Sequence, residues 1–249
     1  MGRWGVRSLL GAALLLPAGA ATATDDVRYN NPAWHLETIR AAKLELAQAT
    51  SAPSSAAQDD GRTNTNRQDA VLLEEDPGNP TGERIPGFVV WRTEPVDTDT
   101  KLDVALRADV EIPDRRLKMT MVFRRNTDPT LPASHTVEIR FTLPADFAGG
   151  GIVRIPGMLV KSNEKTKGVP LAAASARVLD GIFLIGLSKV DVDRTRNLQL
   201  LRESTWFDIP IFYATKRHAV LAIAQASPRH KPLETAFGFW EQTSLVGPK

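Results

Sequence analysis

Hydrophobic and polar residues alternate strictly along three stretches in the middle of the chain. Between Leu102 and Ile112, Leu102, Val104, Leu106, Ala108, Val110 and Ile112 share one face. Asp103, Ala105, Arg107, Asp109 and Glu111 share the other. Leu117, Met119, Met121 and Phe123 repeat the pattern opposite Arg116, Lys118, Thr120 and Arg124. Val137, Ile139, Phe141 and Leu143 repeat it again opposite Thr136, Glu138, Arg140 and Thr142. Successive side chains of a strand point to opposite faces, so a period of two predicts half-buried antiparallel strands. Pro113-Asp114 reads as the turn joining the first two. A two-residue turn there sets Glu111 opposite Arg116 and Asp109 opposite Lys118, pairing opposite charges across the ladder.

Further strands are expected at Phe88–Arg92, Ser175–Leu179, Ile182–Ser188, Trp206–Tyr213 and His218–Ala224. Asp180-Gly181 is a strong hairpin signal between the second and third of these. Ile152 to Lys161 reads as a bent or edge strand, because Pro156 cannot donate to a ladder. Residues 191–202 read as a short helix. Leu233, Ala236, Phe237 and Trp240 fall at helical spacing, and that stripe is expected to cover the strand Trp206–Tyr213, whose two faces are both apolar. The predicted fold is mainly β: an antiparallel β-sandwich or partly open barrel of about nine strands with two short helices.

The N-terminus breaks this pattern. Arg3 and Arg7 precede an apolar run from Ser8 to Ala20, and Ala21-Thr22-Ala23 offers a small-residue cleavage site. This order is that of an export signal, and the run is shorter than the roughly 20 residues a bilayer span needs. Residues 1–23 are therefore expected to be a cleaved signal peptide. An uncleaved segment would instead anchor the chain in the inner membrane. Residues 24–49 carry a short helix opened by Asn31 and Pro32, with a weak stripe at Leu36, Ile39 and Leu46. Residues 50–85, rich in Ser, Ala, Asp, Asn, Gly and Pro, read as a disordered acidic linker. The β-rich domain is then expected at 86–243, with a tail at 244–249.

Charge changes the picture only after the chain is divided. The formal net charge is +2, and removing residues 1–23 leaves 29 basic against 29 acidic side chains. Residues 24–85 hold 6 basic and 11 acidic residues, whereas 86–249 hold 23 and 18. That excess is far below what a nucleic-acid binder carries, so no nucleic-acid partner is expected. The chain has no Cys, which excludes disulfides, thiolate metal sites and a thiol nucleophile, and suits an oxidising periplasm.

Several stretches resemble a group of exported or membrane-anchored proteins of rhizobial-type alphaproteobacteria. They are 107–125 (RADVEIPDRRLKMTMVFRR), 126–141 (NTDPTLPASHTVEIRF), 149–157 (GGGIVRIPG), 168–171 (GVPL) and 206–211 (WFDIPI). The resemblance implies an envelope location and a C-terminal domain of this extent. It carries no activity, cofactor or catalytic residue.

Catalytic signatures are sparse. There is no Gly-x-Ser-x-Gly elbow and no P-loop, and no cofactor is expected. Candidate ligand-binding residues are Arg154 beside the Gly149–Gly151 run, Lys161, Lys165 and Lys167 in a basic loop, and Asn126, Asp128 and His135 in and after a Pro-bearing connection. Each also has a structural reading: a tight turn, a solvated face, a stiffened corner and a satisfied core histidine. The function expected is a non-enzymatic periplasmic or envelope-associated binding module. Its partner would be an envelope protein or an anionic envelope polymer. The alternatives are an envelope-polymer hydrolase using Asp and Glu from separate strands, and a self-assembling envelope protein.

Overall fold

The computed structural model of the protein describes residues 67–97, 102–225 and 231–244. The expected signal segment, the helix near Asn31, the stretch 50–66 and the end of the tail lie outside them. In chain order the elements are β1 (Arg67–Asp76), β2 (Asn79–Asp97), β3 (Leu102–Ile112), β4 (Leu117–Arg125), β5 (Ala133–Thr142), β6 (Ile152–Arg154), β7 (Leu159–Lys161), β8 (Val169–Pro170), β9 (Ala173–Leu179), β10 (Ile182–Ser188), α1 (Asp191–Glu203), β11 (Trp206–Tyr213), β12 (His218–Ala224) and α2 (Lys231–Ser244). The fold is mainly β, as the alternation predicts. Neither described helix is long and apolar enough to cross a membrane.

All the strands belong to one curled antiparallel sheet in the order β8-β7-β11-β12-β1-β2-β3-β4-β5-β10-β9, with β6 also pairing β11. The two ends of that order are consecutive in the chain. Leu171 N–H donates to Met158 O (3.0 Å), on the β7 side, and Ser188 N–H donates to Ala172 O (2.8 Å), on the β10 side. The segment 169–179 therefore pairs first with one end of the sheet and then with the other. Asn197 of α1, fully buried, clips the junction: its amide donates to Ala172 O (2.9 Å) and its carbonyl accepts from Ala172 N–H (2.8 Å).

One face of the sheet carries the core. Register aligns apolar side chains across strands, as in the row Trp91–Ala108–Met121–Ile139–Phe183. Met119, Met121 and Ile139 are almost fully buried and Phe141 packs half-buried against them. Trp91 fills space opposite the small Ala108, and its indole N–H donates to Ala224 O (2.9 Å). Gly87 is needed where β2 meets the end of β3, because a Cβ there would collide with Glu111 O and Ile112 Cδ1. Gly87→Ala is expected to destabilise the fold by about 1–3 kcal/mol, read as a lowered midpoint in urea unfolding; an unchanged midpoint contradicts this packing.

Three expectations are corrected. Residues 67–85, expected as linker, form β1 and the first half of β2. Ala70, Val71, Leu72 and Ile85 are buried there because β1 is flanked on both sides, by β12 and β2. The β3–β4 register is offset by two. Ile112 faces Leu117, Glu111 faces Lys118 and Asp109 faces Thr120. The turn takes residues 113–116, a 3₁₀ turn closed by Arg116 at φ 49°, instead of two residues. A shift of two preserves which face every side chain occupies.

As its Pro156-Gly157 suggests, the stretch Ile152–Lys161 is interrupted there into two short strands, both of which pair β11. Finally, β11 is deeply buried on one face only. Trp206, Asp208, Pro210 and Phe212 are half-buried, and α2 packs on β2 and β3 instead.

Candidate functional site

The charged face of strands β2–β5 pairs its charges internally. Asp109 receives Arg92 (2.8 Å), Arg107 (2.9 Å) and the Thr120 hydroxyl (2.9 Å). Glu138 holds both Arg124 (3.2 Å) and Arg140. Such a ladder of exposed pairs stabilises little individually, but it leaves that face no unmatched cationic patch among these residues.

The expected ligand residues divide. Lys161 is buried, not part of a mobile loop. Its ammonium pairs with Asp208 (2.7 Å) and donates to Glu164 O (2.7 Å). Burial pushes the Asp208 carboxyl up and the Lys161 charge pulls it back. Lys165 and Lys167 are exposed. Their loop is folded on itself by Asn163 Oδ1, which accepts the Lys165 and Thr166 N–H groups, and is tied to β2 by the Arg84–Glu164 pair (2.9 Å).

Arg154 lies over the Phe212 ring at 4.1 Å. The Gly149–Gly151 run is a turn. Gly150 and Gly151 have φ of 67° and 110°, and the carbonyls of Gly151 and Gly149 accept from Ala214 and Thr215 N–H. Those glycines present acceptors to the β11–β12 turn, the reverse of an anion cradle.

Asn126 and Asp128 staple the 126–134 connection. The Asn126 amide donates to the carbonyls of Asp128, Leu131 and Ala133, each at 2.9 Å. Asp128 Oδ1 accepts from the Thr130 N–H (2.8 Å) and hydroxyl (2.7 Å).

His135 is different. Strand β5 pairs β10 so that His135 faces Leu187 and Ala133 faces Ser188. This register brings the 126–134 connection beside Lys189 and the first turn of α1. Between them lies an open cleft of about 330 Å³, lined among others by Arg125, Asn126, His135, Lys189, Asp191 and Arg194. Three cations from separate parts of the chain meet here. Arg125 pairs with the buried Asp103 (2.8 Å), and Arg194 makes a long contact to Asp191 (3.3 Å). Lys189 is exposed and has no ion pair among the described residues. Val190, at the N-cap of α1, gives the helix no side-chain cap, so its first N–H groups are open, while Asp191 and Asp193 in the first turn oppose the positive end of the helix.

His135 is only 6% exposed. Its Nδ1 lies 3.2 Å from the Ser134 hydroxyl, its ring packs 5.1 Å from Trp240, and its Nε2 has no hydrogen-bond partner. Burial pushes its pKa down to about 4; Arg125 and then Arg194 push the same way, with Asp103 opposing. The imidazole is neutral near pH 7, so one nitrogen donates and the other accepts.

Sequence reading singled out His135 and Asn126 but missed Arg125, Lys189 and Arg194. A helix-start cation and a strand-end cation sixty-odd residues apart give no joint signal until β5 is paired with β10. Compared with protein-family models, with curated proteins and with solved structures, the chain gives no match in any of the three.

Proposed function

We propose that the protein is an exported, non-enzymatic binding module of the cell envelope, and that it takes an anionic group of an envelope protein or polymer into the His135 cleft. The observation that carries this reading is the convergence of Arg125, Lys189 and Arg194 around a buried neutral histidine. Opposed charge in a partly desolvated cleft attracts an anion more strongly than the same charge on an open surface. Export rests on the order of Arg3, Arg7, the apolar run and Ala21-Thr22-Ala23.

The hydrolase reading asks for two free carboxylates sharing a cleft. A cleft at the β1–β2 turn gathers Glu74, Glu75, Asp76 and Glu83, but Glu74 is held by Arg115 (2.9 Å) and the Tyr213 hydroxyl (2.6 Å), Glu83 by Arg115 (2.5 Å) and Glu75 by His218 (2.9 Å).

The test is retention of envelope material by the immobilised full-length exported chain at low salt. The Lys189→Gln/Arg194→Gln double variant is expected to lose about tenfold or more of that retention, and raised salt should do the same. Retention indifferent to both contradicts the reading.

A further inference from the structure

Resting on that reading, we propose that the cleft is a phosphoryl-binding site, with the anion seated among Arg125, Lys189, Arg194 and the first turn of α1. His135 lies against the cleft, close enough to the same charges to sense the anion.

The donor geometry favours a phosphoryl over a carboxylate. Arg125 ends β4, Lys189 stands in the β10–α1 joint and Arg194 lies in α1, so the charges approach from different elements rather than as one planar fork. A planar carboxylate is best met by a single bidentate guanidinium. A tetrahedral anion offers oxygens in several directions and suits dispersed donors. An ammonium acting as a point charge and an uncapped helix start are both recurrent phosphate ligands. The cleft volume of about 330 Å³ accommodates a phosphoryl group with a small substituent.

His135 is the second, independent feature. It borders the cleft and is more than nine-tenths buried, with its Nε2 sealed from solvent, so it responds to a bound anion through the charges around it. The charged groups that act on the ring are Arg125 of β4, Arg194 of α1 and Asp103 of β3, while α2 contributes the uncharged Trp240. A bound anion offsets the two guanidinium charges that disfavour imidazolium. His135 therefore takes up a proton more readily in the bound state, and binding strengthens as pH falls. Asp191 on the rim opposes a dianion, which also favours the monoanionic form present at lower pH.

The experiment is an NMR titration of the full-length exported chain with inorganic phosphate at pH 7.5 and pH 5.5, following the His135 imidazole signals. The expected result is saturable movement of those signals, tighter at pH 5.5. Affinity should weaken about tenfold or more in Arg194→Gln and in Lys189→Gln, the loss expected for a charged hydrogen bond. It should be unchanged in Lys165→Gln/Lys167→Gln, which removes one charge more than either, from an exposed loop that does not line the cleft.

Equal weakening in the loop variant would reduce the effect to general charge and overturn the site. Acetate binding as tightly as phosphate would overturn the phosphoryl assignment while leaving the anionic reading standing. Loss of phosphate binding with envelope retention still dependent on Lys189 and Arg194 would have the same meaning. Two further arms separate sources of the same group. Saturable binding of glycerol 3-phosphate supports a soluble or polymer-borne phosphoryl. Retention on phosphatidic acid vesicles, but not on phosphatidylcholine vesicles, supports a lipid headgroup. Failure of both overturns the proposal.

Discussion

Trp240→Ala is expected to lower the unfolding free energy by about 3–5 kcal/mol, the range for removing a large buried aromatic side chain. Trp240 is 3% exposed, its ring packs 5.3 Å from Phe237 and 5.1 Å from His135, and its indole N–H donates to Val104 O (2.9 Å). Truncation leaves a cavity between α2 and the sheet and a buried carbonyl without its donor. Domains of this kind are stable by only about 5–15 kcal/mol, so the loss would be a large part of the whole. Urea unfolding followed by far-ultraviolet circular dichroism reads the change without relying on the deleted fluorophore. Trp240→Phe keeps most of the ring and loses the hydrogen bond, so its cost should be a fraction of the alanine value. An unchanged midpoint for Trp240→Ala would mean that α2 is not docked on β2 and β3.

The second large effect is in pH. His135 in the folded chain is held at about 4 against an ordinary 6.5, so it is neutral in the fold at pH values where the unfolded chain protonates it. Between those two values the unfolded state binds more protons, and stability rises with pH across that window. The contribution is fully present above about pH 6.5 and is lost as pH falls toward 4. A shift of this size corresponds to about 2–3 kcal/mol between pH 7.5 and pH 4.5. Carboxylates held low by partners, such as Glu164 beside Arg84, also weaken as pH falls, but at lower pH. The wild-type chain should therefore lose this extra stability between pH 7.5 and 4.5, and His135→Gln should show a correspondingly shallower slope over the same interval. Equal slopes in the two proteins would mean that the imidazole is not buried as a neutral group. Trp240→Ala should also flatten the slope, because water reaching the ring restores part of its basicity.

The central sheet was legible because its alternation has a direct cause. Met119, Met121, Val137 and Ile139 lie on the one face that is removed from water, and a strand with one wet face must alternate. The offset of the β3–β4 hairpin was not legible. It depends on Arg116 entering the left-handed region, a conformation that sequence signals through Gly or Asn. The parity of the faces survived because the slip was two residues.

Strand β1 was hidden for another reason. Val71-Leu72-Leu73 is a short apolar run in a polar stretch, and its burial comes from β12, some 150 residues away, as much as from β2. Asn197 carried no apparent role until the two ends of the sheet met at Ala172. The candidate site was half visible for the same reason. His135 stood out by residue type, whereas Arg125, Lys189 and Arg194 become neighbours only through the β5–β10 register and the placement of α1.

The most direct measurement of the account is amide hydrogen exchange on the full-length chain, with and without an added extract of envelope material. Binding at the His135 cleft predicts slowed exchange confined to residues 125–135 and 189–198, with the basic loop at 161–168 and the turn at 149–151 unaffected. Protection centred on that loop or that turn, with 125–135 and 189–198 unchanged, would contradict it.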